Sequence, residues 1–409
     1  MHEYPIIIFA ALLAFVFGLF SRLAERSPIS GPMVFVTVGI LASPLGFGWL
    51  EVRPNAKIVT ILAEIALIII LFVDASLINL PRLIKERSIP LRLLLIGLPL
   101  TMLLGIALAL PIFQGMNFWV LVLMALMLSP TDAALGVAVV KSEAVPEKIR
   151  QSINVESGLN DGLALPPILI CIAALSEAEA GSGGAAYWAG FALKQMIFGP
   201  IIGGLVGWLG GMLMDRTSQK GWMSHTFQRI ASISLAMIAY AMAEVFHGNG
   251  FIAAFFGGLM LGARTHEVRE RIQEFAEAEG QQKALYIFLL LGLVLVPAVL
   301  PYWDTRAWLY ALLSLTVIRM LPVAVSLIGT KFDWQTVSFI GWFGPRGIAS
   351  ILYLLIVIGK LGTKGLEYMI SVVVLTVLLS VFLHGISAIP LSQLYGRYAS
   401  AGNTPTKPK

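Results

Sequence analysis

Long apolar runs alternate with short polar breaks along the whole chain, and each run has the length of a membrane-crossing helix. Charged or Gly/Pro-rich segments separate the runs. A helix needs about 20 apolar residues to cross the hydrocarbon core of a bilayer. The pattern predicts thirteen spans, at 5–24, 31–49, 56–75, 91–111, 117–140, 150–175, 187–214, 227–246, 249–263, 283–300, 307–329, 335–359 and 366–390.

The composition agrees with this pattern and excludes a soluble domain. Of 409 residues, 58% are hydrophobic and 12% are charged, whereas a soluble protein is nearer half apolar and a quarter charged. The runs lack the ten-residue alternation of an outer-membrane barrel. Cys171 is the only cysteine, so an internal disulfide or a cysteine-based metal site is excluded. The predicted fold class is an all-α polytopic membrane protein.

The distribution of basic residues predicts the orientation of the spans. With the N-terminus outside, twenty of the 28 lysines and arginines fall on the cytoplasmic side, as the positive-inside rule requires. The net charge of +5 therefore needs no nucleic-acid partner. Residues 264–283 are predicted to form a short surface helix with an apolar stripe, and a cytoplasmic tail at 396–409 is expected to be unstructured.

The spans divide into two halves of a single transmembrane domain. Repeat one covers about 5–175, a linker helix about 187–214, and repeat two about 227–390. Seven spans separate each pair of corresponding helices, so the partners run in opposite directions. This inverted-topology repeat is typical of secondary transporters.

Spans five and twelve each carry a proline beside a charge. Pro130 precedes Asp132 in one, and Pro345 precedes Arg346 in the other. Proline removes a backbone donor, so both helices are expected to break there. Broken helices at matching positions, crossing near the midplane, predict a transporter's binding site.

Charged residues inside membrane spans are costly and mark ion or proton pathways. Asp74, Lys194 and Glu244 lie closer to span ends, where snorkelling or a polar cap explains them. The remaining candidates are Glu64, Asp132, Glu156, Asp161, Arg319 and Arg346.

The stretch ESGLNDG, residues 156–162, holds two of these acids on different faces of one helix. Ser157 and Asp161 share one face, whereas Glu156 and Asn160 share an adjacent face. Two roles follow: one acid titrates in a cavity, and Glu156 forms a structural bridge with Arg319. Asp132 and Arg346 either compensate the ends of the broken helices or contact the substrate directly.

Oxygen ligands without thiols or a histidine cluster suit hard cations. The few acids form no multidentate calcium loop, so monovalent cations and protons are the expected ligands. A partly desolvated carboxylate has a raised pKa and can exchange H⁺ for a cation near neutral pH. One such acid on a moving element is sufficient for antiport.

These residues resemble the monovalent cation/proton antiporters, specifically the NhaP-like sodium/proton exchangers. The resemblance rests on SPTDAA, ESGLNDG, GPRGIAS and ILAEIALIIILFVDASL, and it covers nearly the whole chain. It implies electroneutral exchange of a monovalent cation, Na⁺ first with Li⁺ or K⁺ possible, for H⁺. It also implies a homodimer and an elevator-like shift of spans four to six with eleven to thirteen.

The resemblance also implies roles for single residues. Asp161 would bind the cation and the proton, with Asn160 beside it. Ser157, the Thr131 backbone and Glu64 would help to coordinate the cation, and Asp132 would act nearby, partly through water and the dipoles of the broken helices. Glu156, Arg319 and Arg346 would be structural. The pair Asn160–Asp161, in place of two aspartates, goes with electroneutral exchange in this family.

Two other functions stay open on the sequence: a cation channel or K⁺ efflux protein on the same inverted repeat, and a sodium-coupled organic-anion symporter. An enzyme is not expected, since no nucleophile–base set, Walker loop or dinucleotide motif is present. No cofactor is implied beyond the transported ions. The expected location is a bacterial or archaeal inner membrane, with a role in pH homeostasis.

Overall fold

The computed structural model describes residues 3–25, 27–50, 56–78, 88–132, 135–180, 185–265 and 282–402, and every regular element in these ranges is helical. The first helices are α1 (Glu3–Glu25), α2 (Gly31–Ala42) and α3 (Ala56–Leu77). Helix α4 is continuous through Ser88–Arg92, a π turn at Leu93–Gly97, and Leu98–Ile112. The predicted surface helix at 264–283 falls mostly outside the described residues.

The remaining helices follow the predicted spans, with spans five and twelve each divided in two. They are α5 (Phe118–Met127), α6 (Val137–Val140), α7 (Glu147–Ala180), α8 (Ala185–Gln219), α9 (His225–Val245), α10 (Gly250–Arg264), α11 (Gln282–Tyr302), α12 (Thr305–Ser326), α13 (Trp334–Trp342), α14 (Ile348–Leu361) and α15 (Glu367–Gly402). Seven helices in the described part of the chain are long and apolar enough to cross a membrane. The chain is therefore a multi-pass membrane protein.

Two helix ends differ most from the sequence prediction. Helix α2 stops at Ala42 because Pro44 follows and the Ser43 amide closes the last turn on Gly39 and Ile40. Helix α15 continues past Pro390 to Gly402, so the first part of the predicted tail is ordered. Packing explains this extension, since the Tyr395 ring stacks on Phe339 of α13 at 4.3 Å.

Helix α10 is clamped between α8 and α3 through glycines. A Cβ on Gly203 of α8 would lie 2.1 Å from the Ala253 carbonyl oxygen of α10. On the other face of α10, a Cβ on Gly258 would lie 2.0 Å from the Phe72 carbonyl oxygen of α3. Small residues let backbones approach closely where lipid provides no hydrophobic drive. The three helices therefore pack backbone to backbone.

The interrupted helices lie at the centre of the structure. Every residue of α5 from Val120 to Met127 is buried, as is most of α14. Helix α15 passes beside them with Val372–Val374 at 0% exposure. A segment buried on all sides reads as apolar throughout, which is why these runs carry few polar side chains.

We predict that Gly203→Ala separates α8 from α10 and lowers stability, because the new methyl group meets backbone that has no room to move. Overpacking of this kind costs about 1–3 kcal/mol. Gly204→Ala is the matched control, since its Cβ would meet only Met260 at 3.7 Å. Thermal unfolding in detergent should show a lower Tm for the first variant alone. Equal Tm values would contradict the tight contact.

Candidate functional site

The two helix breaks cross each other and are joined by a backbone hydrogen bond. Helix α5 ends at Met127 and α13 ends at Trp342, and non-helical chain follows each. The Asp132 amide donates to the Pro345 carbonyl oxygen at 2.8 Å. Unwound backbone at this depth needs such internal partners because lipid offers none.

The carboxylate of Asp132, which belongs to the break after α5, lies at the N-terminus of α14, the helix that begins after the other break. The Ile348 amide, at the beginning of α14, donates to Asp132 Oδ2 at 2.6 Å. The N-terminus of a helix carries partial positive charge, so an anion is stabilised there. Gly347 makes this approach possible, since a Cβ at that position would lie within 2 Å of Asp132 Oδ2.

A buried arginine has the complementary role at the carbonyl ends. Arg346 is 0% exposed, and its Nη1 donates to the Gly344 oxygen at 3.0 Å and to the Pro130 oxygen at 3.4 Å. Its own amide donates to Ser380 Oγ of α15 at 2.7 Å. Asp132, from the break after α5, thus stabilises the start of α14. Arg346, from the break after α13, stabilises the Pro130 carbonyl in the other break.

Glu156 and Arg319 form a two-pronged ion pair between α7 and α12. The distances are 2.5 Å from Nη1 to Oε1 and 2.8 Å from Nη2 to Oε2. Both residues are 1% exposed. Gly344 leaves room for the guanidinium, because a Cβ there would lie 2.3 Å from Arg319 Nε. Both oxygens of Glu156 are therefore engaged by Arg319.

Asp161 lies on the same helix and keeps an oxygen free. It is 8% exposed, and in the described part of the chain its buried Oδ1 has no hydrogen-bond partner. A short polar network runs beside it: Asn160 Nδ2 donates to Thr131 Oγ1 at 2.6 Å, and Thr131 Oγ1 lies 3.0 Å from Ser157 Oγ. The structure brings Thr131, Ser157 and Asn160 together at the crossing.

Two other carboxylates are close enough for their charges to act on Asp161. These are Asp132 and Asp74 of α3. Glu64 precedes Asp74 by ten residues, about 15 Å along a helix. Glu64 is half-buried, and its charge acts on Tyr240 of α9. Asp74 is thus the acid of α3 that the structure brings near Asp161. Asp74 was not a site candidate from the sequence because it lies near the end of an apolar run.

Helix α14 braces the site through two residues that the sequence did not single out. Ser350 Oγ donates to the Met127 oxygen at the end of α5, at 2.7 Å. Tyr353, 1% exposed, donates its hydroxyl to the Asp161 carbonyl oxygen at 2.8 Å. Ser350 ends the GPRGIAS stretch but had no role assigned to it from the sequence, and Tyr353 lies outside the motifs in an apolar helix. Their contacts depend on which helices are neighbours.

No group of three or more His, Cys, Asp or Glu side chains that could hold a resident metal ion occurs in the described ranges. Besides the Asp132 carboxylate, which the Ile348 amide binds, the oxygens at the crossing come from the Asp161 carboxylate, two hydroxyls and an amide. Such a set suits a monovalent cation better than a divalent one, because it supplies few negative charges.

Comparison with known sequences gives a match over almost the whole chain. The family described as "Sodium/hydrogen exchanger, transmembrane" matches residues 11–394. The K⁺/H⁺ antiporter NhaP of Alkalimonas amylolytica is 28% identical over 78% of this chain and 54% of its own length. The K⁺/H⁺ antiporter NhaP2 of Shewanella sp. strain MR-4 is 26% identical over 95% of this chain and 66% of its own length. The chain thus spans about half to two thirds of these relatives.

The fold matches a solved structure. The sodium proton antiporter MjNhaP1 of Methanocaldococcus jannaschii, at pH 8, superposes with a TM-score of 0.74 over 94% of this chain and 100% of that one. The sequence identity is 20%, so the likeness is one of fold.

We predict that Glu156→Gln and Arg319→Ala each lower stability by about 3–5 kcal/mol, because each leaves a buried charge or donor set without its partner. Thermal unfolding and yield after detergent extraction measure the effect. The control is the double variant Glu156→Leu with Arg319→Met, which removes both charges and should recover much of the loss. Full stability of both single variants would contradict a structural role.

Proposed function

The chain belongs to the sodium/hydrogen exchanger family, and we propose that it exchanges a monovalent cation for H⁺ at Asp161. The family is one of transporters, not enzymes, and its ions are substrates and not cofactors. The observation that carries the proposal is the buried carboxylate of Asp161 with one oxygen left free, beside hydroxyl and amide groups at the crossing of two broken helices.

Competition between two ligands gives the coupling. A cation needs the ionised form of Asp161, whereas a proton removes that charge, so the two bind in turn. Ser157 and Thr131 supply further oxygens for the cation, and an acid of α3, Glu64 or Asp74, completes the set. Asp132 acts from the N-terminus of α14. Asn160 is neutral, so one titrating charge exchanges one H⁺ for one cation, and the cycle is electroneutral.

Alternating access is proposed to occur by an elevator-like shift. The reciprocal contacts of Asp132 and Arg346 support a moving unit in which both breaks travel together. They also support the inverted repeat, since each half contributes one break. We further propose a homodimer in an inner membrane, with the N-terminus outside. Relatives are named for K⁺ and a solved structure for sodium, so Na⁺ and K⁺ are both candidate substrates.

Proton movement in proteoliposomes tests this function. An imposed Na⁺ or K⁺ gradient should drive H⁺ across the membrane without any organic solute, and a voltage clamp with valinomycin should change the Na⁺-driven rate little. A cation series then ranks Na⁺, K⁺ and Li⁺. Asp161→Asn should abolish exchange because the amide cannot bind H⁺ and cannot neutralise a cation.

Other results of the same assay would contradict this proposal. Normal exchange by a folded Asp161→Asn protein would remove the central residue of the mechanism. Cation flux without H⁺ movement would indicate a channel, and dependence on an organic anion would indicate a symporter. A strong voltage effect would rule out one-for-one exchange.

A second pair of variants identifies the acid of α3. We expect Asp74→Asn to raise the apparent KM for the cation by at least tenfold, because the charge of Asp74 acts on Asp161. Glu64→Gln on the same helix is the matched control and should change KM by less than threefold. The reverse result would restore Glu64 as the ligand predicted from the sequence. KM is read from initial rates of H⁺ movement.

A further inference from the structure

The face of α7 that carries Asp161 changes from open to closed within about one helical turn. Asn154, Gly158 and Gly162 follow one another at four-residue spacing and share this face. Asn154 is exposed, and around the half-buried Gly158 no atom lies within 4 Å of where a Cβ would be. Gly162, next to Asp161, is buried. The surface of α7 is therefore open as far as Gly158 on its N-terminal side, which is the cytoplasmic side in the predicted orientation.

The aromatic ring of Phe255 closes the other side. A Cβ on Gly162 would lie 2.3 Å from Phe255 Cδ2 and 2.4 Å from Cε2. The ring of this α10 residue therefore rests directly on the backbone beside Asp161, and Phe255 is 3% exposed. Beyond it, Ala164 and Leu165 of α7 are buried, at 0% and 1% exposure, whereas Leu163 on another face of the helix is 39% exposed.

The two sides of this contact belong to separately braced groups of helices. Phe255 lies on α10, which the glycine contacts hold to α8 and α3. Gly162 lies on α7, which is tied to α14 through the Tyr353 hydroxyl and to the chain after α5 through Asn160 and Thr131. The contact thus lies between these two groups of helices, which also meet where α3 packs against α14.

We propose that the Phe255 ring seated on Gly162 is the seal that separates Asp161 from the outer solution. A phenyl ring offers no polar group to a hydrated cation or a proton, and hydrophobic constrictions close pathways by excluding water. Glycine is required at 162 because any side chain would hold the ring away from the helix. This inference rests on the proposed antiport, in which the seal opens when the site turns outward.

Cysteine labelling tests the seal without measuring transport. On a Cys171→Ala background, Gly158→Cys and Leu165→Cys report on the two sides of the ring. In inside-out vesicles, a membrane-impermeant maleimide should label the Gly158→Cys reporter at least tenfold faster than the Leu165→Cys reporter. Adding Phe255→Ala should raise labelling of the Leu165→Cys reporter at least tenfold. Phe251→Ala is the matched control, since it removes the same ring from α10 where it packs on Tyr240, and it should have no effect.

Gly162→Ala is a second route to the same result, because its methyl group displaces the ring while Phe255 stays in place. The seal is wrong if the Leu165→Cys reporter is labelled as fast as the Gly158→Cys reporter with Phe255 present. It is equally wrong if neither Phe255→Ala nor Gly162→Ala accelerates labelling in protein that elutes as a single peak. Maleimide labelling does not depend on transport, so it can be measured whether or not Asp161→Asn abolishes exchange. A failed seal and a failed antiport mechanism are therefore distinguishable.

Discussion

The centre of this protein depends on satisfying the backbone of two broken helices at membrane depth. Lipid cannot pair with a free amide or carbonyl, so each exposed group costs several kcal/mol unless protein supplies a partner. Asp132 supplies one at the start of α14, and Arg346 supplies another at Gly344 and Pro130. Asp132 thus serves the other break, and Arg346 serves both its own break and the other, so the two breaks stabilise each other.

The two acids of α7 have different surroundings and therefore suit different roles. Glu156 and Asp161 are five residues apart, so their side chains point about 140° apart around the helix. Glu156 meets Arg319 and both of its oxygens are engaged. Asp161 follows Asn160, which belongs to the network with Thr131 and Ser157, and among the described residues its Oδ1 has no hydrogen-bond partner. A buried acid with both oxygens engaged is suited to structure, and one with a free oxygen is suited to binding.

Glycine has two different uses in the fold. In α8 and α10 it lets the backbones of α8, α10 and α3 come into direct contact, which leaves little room for these helices to shift. At Gly344 and Gly347 it makes room for a guanidinium and a carboxylate that must reach the breaks, and at Gly162 for an aromatic ring. Glycine thus brings backbones together on one side of the Phe255–Gly162 contact and makes room for buried charges on the other.

The hydrophobic pattern by itself determined that the chain is a helical membrane protein and that two of its apolar runs are interrupted near Pro130 and Pro345, because length and proline chemistry act locally. It also singled out the acids and arginines, since a charge inside an apolar run is costly wherever it lies. Only the tertiary structure decided which of them meet. Spacing along one helix cannot tell whether Asp74 or Glu64 reaches Asp161, or that Tyr353 and Phe255 border it, because those contacts depend on the depth and rotation of neighbouring helices.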